Sequence, residues 1–177
     1  MKHSIAQKLR AIAVTVGKPK VYVDMDGCLT DFERAVKDLG PGPAKGLPMD
    51  AGPADKQVMW TAIDKAGPDF WAKMKWKKDG KKLWNLVKGL DPVLLSSPGK
   101  ERFAPAGKEI WVSENIPGTP LFLETDKYQY AQGVENEGAI LIDDMQDNIS
   151  SWNEAGGKGI LHEDFEKTKE ELEKLLN

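Results

Sequence analysis

The sequence predicts an α/β fold, with a mostly parallel central sheet flanked by helices and a small helical insertion after the first strand. Three observations predict it. Short apolar runs of strand character recur near residues 21–23, 92–95, 120–124, 139–142 and 159–162, and segments of helical spacing separate them. The first and fourth runs both end in paired carboxylates. Continuous apolar runs suit strands buried on both faces, and alternation with helices implies parallel strands joined by right-handed crossovers. In such sheets ligands bind at the carboxyl ends of the strands, which is where these acids fall.

Taken in order, residues 4–16 place Ile5, Leu9, Ile12, Ala13 and Val16 at helical spacing, which predicts an amphipathic helix packed on the sheet edge or the insertion. The first strand, Val21-Tyr22-Val23, runs into Asp24-Met25-Asp26-Gly27-Cys28-Leu29-Thr30-Asp31. Gly27 lets the backbone turn without a Cβ clash. Cys28 reads as a small packed side chain, because neighbouring carboxylates disfavour its thiolate. A glycine- and proline-rich stretch over 40–53 reads as a loop or hinge, followed by helices over 54–66, 68–75 and 80–89. The second strand ends in Ser96-Ser97-Pro98, and a helix over 101–114 follows. The strand at 120–124 leads to Lys127, after which 132–138 reads as a polar loop. The fourth strand ends in Asp143-Asp144, with Asp147 and Asn148 placed to suit the start of a helix over 145–155. A last strand at 159–162 ends in His162, read as an ordinary strand-end histidine, and a tail helix over 164–176 turns Phe165, Leu172 and Leu175 inward.

The spacing of the acids suits phosphoryl transfer. Asp24 can attack phosphorus to give an aspartyl-phosphate, provided that a cation offsets the repulsion between two anions. Magnesium, which takes one or two carboxylates together with phosphate and water, suits that role. On this reading Asp24 is nucleophile and metal ligand, while Asp26 protonates the leaving oxygen and later activates water. Taken alone, an Asp-x-Asp-Gly turn equally suits a surface loop or a weak calcium site. Two acid-ended strands side by side would build one metal site, with Asp143 and Asp144 as its second half. Ser96 can donate a hydrogen bond to a phosphate oxygen, and Lys127 can neutralise developing charge, with Lys108 as the competing lysine.

The order Asp-x-Asp-Gly, Ser, Lys, Asp-Asp, each at a strand end, resembles the haloacid dehalogenase superfamily of aspartate-nucleophile phosphatases. Within it, Asp24-Met25-Asp26-Gly27 continuing to Asp31-Phe32-Glu33, then Leu95-Ser96-Ser97-Pro98, residues 107–112 and Leu141-Ile142-Asp143-Asp144, are similar to the motifs of the 5'(3')-deoxyribonucleotidases and their phage and bacterial relatives. The resemblance implies a catalytic core of residues 1–31 and 91–177 and a helical cap of residues 32–90. It implies Mg2+ held by Asp24, Asp26 through its backbone carbonyl, and Asp144, with Asp143 acting through water or orienting Lys127. Ser96, Ser97, Lys127 and Lys108 would hold phosphate. The implied substrate is a nucleoside monophosphate. Hydrolysis of a sugar phosphate or of a nucleic-acid 3'-phosphate end is the alternative within the same chemistry, and a receiver-like phosphorylatable switch is the alternative outside it.

The insertion is rich in aromatics. A nucleobase needs a flat apolar surface, and Phe32, Phe70, Trp71 and Trp76 are expected nearest the mouth of the site, although such residues also serve to hold a helical cap together. Lys73 to Lys82 mixes lysines with Trp76 and reads as a solvated surface in preference to a polynucleotide grip. The net charge of −3 excludes a general nucleic-acid binder, so no stable nucleic-acid complex is expected. One cysteine excludes an internal disulfide framework, and no long apolar run suggests a membrane span or a signal peptide. A cytoplasmic location follows as the expectation, with a homodimer left open.

Overall fold

The computed structural model describes residues 19–39, 52–99, 101–132 and 138–176. The helix expected over 4–16 lies outside them, as do most of the stretch 40–53 and of the polar loop 132–138. Five strands, β1 (Val21–Val23), β2 (Val93–Ser96), β3 (Leu121–Leu123), β4 (Ile140–Asp143) and β5 (Lys158–Leu161), form one sheet in the order β3-β2-β1-β4-β5. Every pairing is parallel. β1 is central, and the strand order reverses there, so the crevice opens over the carboxyl ends of β1, β2 and β4.

Period-two alternation splits the core into two layers. Val21 and Val23 of β1 join Leu94, Ile140, Ile142 and Ile160 on one face, while Tyr22 joins Val93, Leu95 and Leu141 on the other. The second face is closed by α6 (Gln146–Glu154), which sets Ile149 and Trp152 against Tyr22. The first face carries α5 (Ala104–Asn115), with Trp111 and Val112, and α7 (Phe165–Leu176), with Leu172 buried and Leu175 partly so. Phe165 is half-buried, with Lys82 over its ring.

The insertion contributes α1 (Phe32–Lys37), α2 (Pro53–Ala66), α3 (Pro68–Ala72) and α4 (Gly80–Val87), the last running into a short 3-10 turn, Lys88–Leu90. α1 has no counterpart among the helices expected from the sequence. Its start is capped by the Asp31 side chain, which accepts from Arg34 N–H at 3.0 Å, and Lys37 pairs with Glu33 one turn back. α3 ends at Ala72, short of the expected 75, because the following residues pair with the loop after β1: Asp31 N–H donates to Lys75 O and Lys77 N–H to Leu29 O. That tertiary pairing outcompetes another helical turn. Gly107 lets α3 and α5 approach closely, since a Cβ there would collide with the Trp71 side chain and the Pro68 carbonyl. Met59, Ile63, Leu83 and Val87 of the insertion belong to the same hydrophobic cluster as β1. No helix among the described residues is long and apolar enough to cross a membrane.

Candidate active site

Asp24 follows β1 directly, and its N–H donates to Ile142 O of β4 at 2.8 Å, extending the ladder by one residue to the sheet's edge. The chain then turns tightly. Leu29 and Thr30 N–H both donate to Met25 O, and Gly27 N–H donates to Thr30 O. Gly27 takes φ +81°, and a Cβ there would run into the Asp144 carboxylate, so glycine is required both for the turn and for the approach of the two acidic segments. The same turn aims Asp26: Thr30 Oγ1 donates to its Oδ1 at 3.0 Å, and Lys108 Nζ lies 2.7 Å from its Oδ2.

Lys127 sits between two buried carboxylates, with Nζ 2.7 Å from Asp24 Oδ1 and 2.6 Å from Asp143 Oδ2. Burial opposes its charge, but Asp24 and Asp143 more than compensate and hold the ammonium above the ordinary lysine range. Asp143 is fully buried and also accepts from Met145 N–H and from the Asn148 amide. Burial, then the charge of Asp24, still pushes its carboxyl up. Asp144 has no lysine this close among the described residues, and burial with the charges of Asp24 and Asp143 pushes it up to about 7.

The opposite wall is built by β2 and α5. Lys108, 1% exposed, donates to Ser96 Oγ at 3.1 Å and to Ser97 O at 2.7 Å. Both lysines singled out in the sequence therefore enter the site at different places. Lys127 lies between Asp24 and Asp143, while Lys108 joins Ser96 to Asp26 and lies 5.1 Å from the centre of the Trp71 ring.

These groups, apart from the fully buried Asp143, line one cleft of about 300 Å³ whose other side is aromatic. Phe32 and Trp71 are in that wall, and Trp60 stands with them. Two of the four aromatics expected there are not. Phe70 packs edge-on behind Phe32 and Trp71, and Trp76 turns away to Trp111, 4.8 Å between ring centres, with its indole N–H on Asn115. The reason is the extended pairing of 75–77 with 29–31, in which successive side chains take opposite faces. It sends Trp76 outward and Lys77 into the cleft, so one residue of the basic run read as solvated surface belongs to the site. Thr30, Trp60 and Asn148 also line it without having been singled out for it. Asn148 carried a signal, an amide one helical turn after the acidic pair; Trp60 and Lys77 carried none.

No family model and no curated protein matches the chain. Among solved structures, a haloacid dehalogenase-like family hydrolase from Streptococcus pneumoniae is similar over 83% of this chain and 85% of its own, at 13% identity and a TM-score of 0.50. A hydrolase from Pseudomonas syringae is similar over 86% and 90%, at 11% identity and a TM-score of 0.46. The fold is that of the haloacid dehalogenase-like hydrolases. The parallel pairing of Val21–Val23 with Ile140–Ile142 sets the two acid-ended strands of this chain side by side.

Magnesium is the ion expected from the sequence, and the donor set suits a hard cation. Carboxylate oxygens of Asp24 and Asp144 and the Cys28 sulfur lie within 4.8 Å of one another. The oxygens are the ligands such an ion selects. The Cys28 thiol is buried, and that burial, with Asp24 and Asp144 beside it, pushes it well above its ordinary range, so it stays protonated and packs against Ile142 O. A divalent ion would also relieve the charge crowding that raises Asp144.

Proposed function

We propose that the protein is a magnesium-dependent phosphomonoesterase that works through an aspartyl-phosphate, with a nucleoside monophosphate as its substrate. One observation carries this reading: in a single cleft lined also by Phe32, Trp60 and Trp71, Lys127 ties Asp24 to the buried Asp143 behind it, and Lys108 bridges Ser96 and Asp26. Asp24, Asp144 and the Asp26 carbonyl would hold magnesium, which supplies positive charge against the phosphoryl oxygens. Asp24 Oδ attacks phosphorus while the bond to the ester oxygen breaks, and Asp26 gives that oxygen its proton. Asp26 then takes a proton from water, whose oxygen attacks phosphorus as the bond to Asp24 breaks, releasing inorganic phosphate, freeing the Asp24 carboxylate and returning Asp26 to its protonated form. Thr30 and Lys108 hold Asp26 for both transfers. Ser96 and Lys108 on one side and Lys127 on the other offer fixed donors to the charge spread over the transition state. An acid that is positioned in this way supports turnover over a phosphorylated switch, which needs none.

Trp60, partly exposed in the wall and backed by the buried Phe32 and Trp71, offers a base a stacking surface, and this supports a nucleotide over a sugar phosphate. The test is phosphate release from a panel of deoxyribonucleoside and ribonucleoside monophosphates and sugar phosphates, with and without magnesium. Release that needs magnesium, favours nucleotides and vanishes in Asp24→Asn is expected. Release by folded Asp24→Asn at the parent rate would overturn the mechanism, and release from sugar phosphates alone would overturn the substrate.

A further inference from the structure

Lys77 is a cation in the cleft that the mechanism above does not use. Other lysines of its segment are occupied: Lys73 pairs with Asp69, Lys75 with Asp38 and Lys82 with Asp79. Lys77 is half-buried, lines the cleft and makes no ion pair among the described residues. Its backbone is anchored at both ends, since its N–H donates to Leu29 O, its carbonyl accepts from Gly80 N–H, and Gly80 is pressed against the Leu29 carbonyl so closely that a Cβ would collide. The side chain therefore springs from a fixed backbone, which leaves only its own rotamers to be ordered when it takes a ligand.

Its position differs from that of the phosphate-holding groups. Ser96, Ser97 and Lys108 stand at the end of β2 and on α5, whereas Lys77 is paired to the loop after β1, and the helix that its segment leads into sets Lys82 over Phe165, just beyond β5. In the sheet order, β1 and β4, which carry Asp24 and Asp144, come between β2, which ends in Ser96, and β5. Glu33 is already paired with Lys37, and Asp144 belongs to the group that would hold the metal, so neither carboxylate would be left to satisfy Lys77. A cation held at the far side of the cleft from the transferred phosphoryl group suits a second anion on the same substrate.

We propose that Lys77 is a specificity-determining residue that binds a second phosphate on the leaving group, so that the preferred substrates are nucleoside bisphosphates. This rests on the phosphomonoesterase reading. The second phosphate would accept hydrogen bonds from Nζ while the first is attacked, and no bond to it is made or broken.

The experiment compares kcat/KM for a deoxynucleoside 5'-monophosphate and the corresponding 3',5'-bisphosphate, in the parent protein, Lys77→Ala, Lys77→Arg and the control Lys73→Ala. Binding of both nucleotides to Asp24→Asn and to Asp24→Asn/Lys77→Ala is measured by calorimetry alongside. A preference for the bisphosphate of about tenfold, one charge-assisted contact, is expected in the parent, kept in Lys77→Arg and Lys73→Ala and lost in Lys77→Ala, with the same pattern in the binding constants. Equal use of the two nucleotides by the parent, or a preference that survives in Lys77→Ala, would overturn the assignment of Lys77 and leave the phosphomonoesterase intact. Release from neither nucleotide would overturn the nucleotidase reading, and this assignment with it.

Discussion

The ammonium of Lys127 and the carboxylate of Asp24 form an ion pair of 2.7 Å in which neither side chain is more than 7% exposed, and the same nitrogen reaches Asp143 at 2.6 Å. One cation thus holds two buried acids from adjacent strands. Removing it leaves like charges facing each other in a poorly solvated place.

Lys127→Met is accordingly expected to cost about 3–5 kcal/mol of stability, the usual result of breaking a buried ion pair from one side. Asp143→Asn in the same chain should recover part of the loss by deleting one of the stranded charges. Urea unfolding of the parent, the single variants and the double variant measures this, and a double variant no more stable than Lys127→Met would show that the two acids do not depend on the lysine as a unit.

Asp144 links pH to stability and to metal. Its carboxyl rises from 3.8 in the unfolded reference to about 7 in the fold, so between those values the folded protein binds more protons than the unfolded chain. Stability of the metal-free protein is therefore present in full below 3.8 and is lost as pH rises through about 7, an effect on the order of a few kcal/mol. Magnesium, which takes the ionised form, should restore stability at about pH 8 and do little at about pH 5. Melting temperatures with chelator and with magnesium at both pH values test it, and Asp144→Asn should flatten both dependences.

His162 works in the opposite direction. It is 6% exposed, its Nδ1 lies 2.8 Å from Thr168 Oγ1, and burial followed by the charge of Lys77 keeps its pKa below 6.5. The stability it protects is present above the unfolded pKa and lost as pH falls through the folded one. A histidine titration followed by NMR is expected to show the His162 ring still neutral when an exposed histidine is already half-charged, and Lys77→Ala should move its midpoint up.

Gly27→Ala tests the junction between the two acidic segments. The Cβ would meet the Asp144 carboxylate at a residue with φ +81°, so the acid must swing aside. Loss of magnesium binding by calorimetry, with the helical circular-dichroism signal kept, is the expected result.

Trp60→Ala tests the aromatic wall. A stacked base is worth about 1–3 kcal/mol, so KM for nucleoside monophosphates should rise about tenfold or more, with a smaller effect on a sugar phosphate. Phe70→Leu, behind the wall, should act mainly on stability, read by urea unfolding.

Much of the fold was legible because its signals are local. The apolar runs before Asp24, Ser96 and Asp143 fall at strands, the helix expected over 54–66 is observed at Pro53–Ala66, and the tail helix expected over 164–176 at Phe165–Leu176. Buried parallel strands and amphipathic helices write their environment into consecutive residues. The acids and Ser96 at the strand ends were visible for the same reason: in a parallel sheet the end of a strand is also the rim of the crevice.

What only the tertiary structure decided depends on contacts between segments far apart in sequence. That Lys127 and Lys108 both enter the cleft, one to Asp24 and Asp143 and the other to Asp26 and Ser96, follows from how α5 and the turn after β3 pack on the sheet, and nothing in either lysine's neighbours encodes it. Trp76 turned away and Lys77 turned inward follow from the pairing of 29–31 with 75–77 across some forty-five positions, and Trp60 joins the wall by packing on Phe32. The sequence by itself determined the strand ends and the acids they carry, because period and polarity are properties of a segment. The side chains that complete the site were decided by docking, because a lysine or a tryptophan has the same local pattern whether it faces water, a neighbouring helix or a ligand.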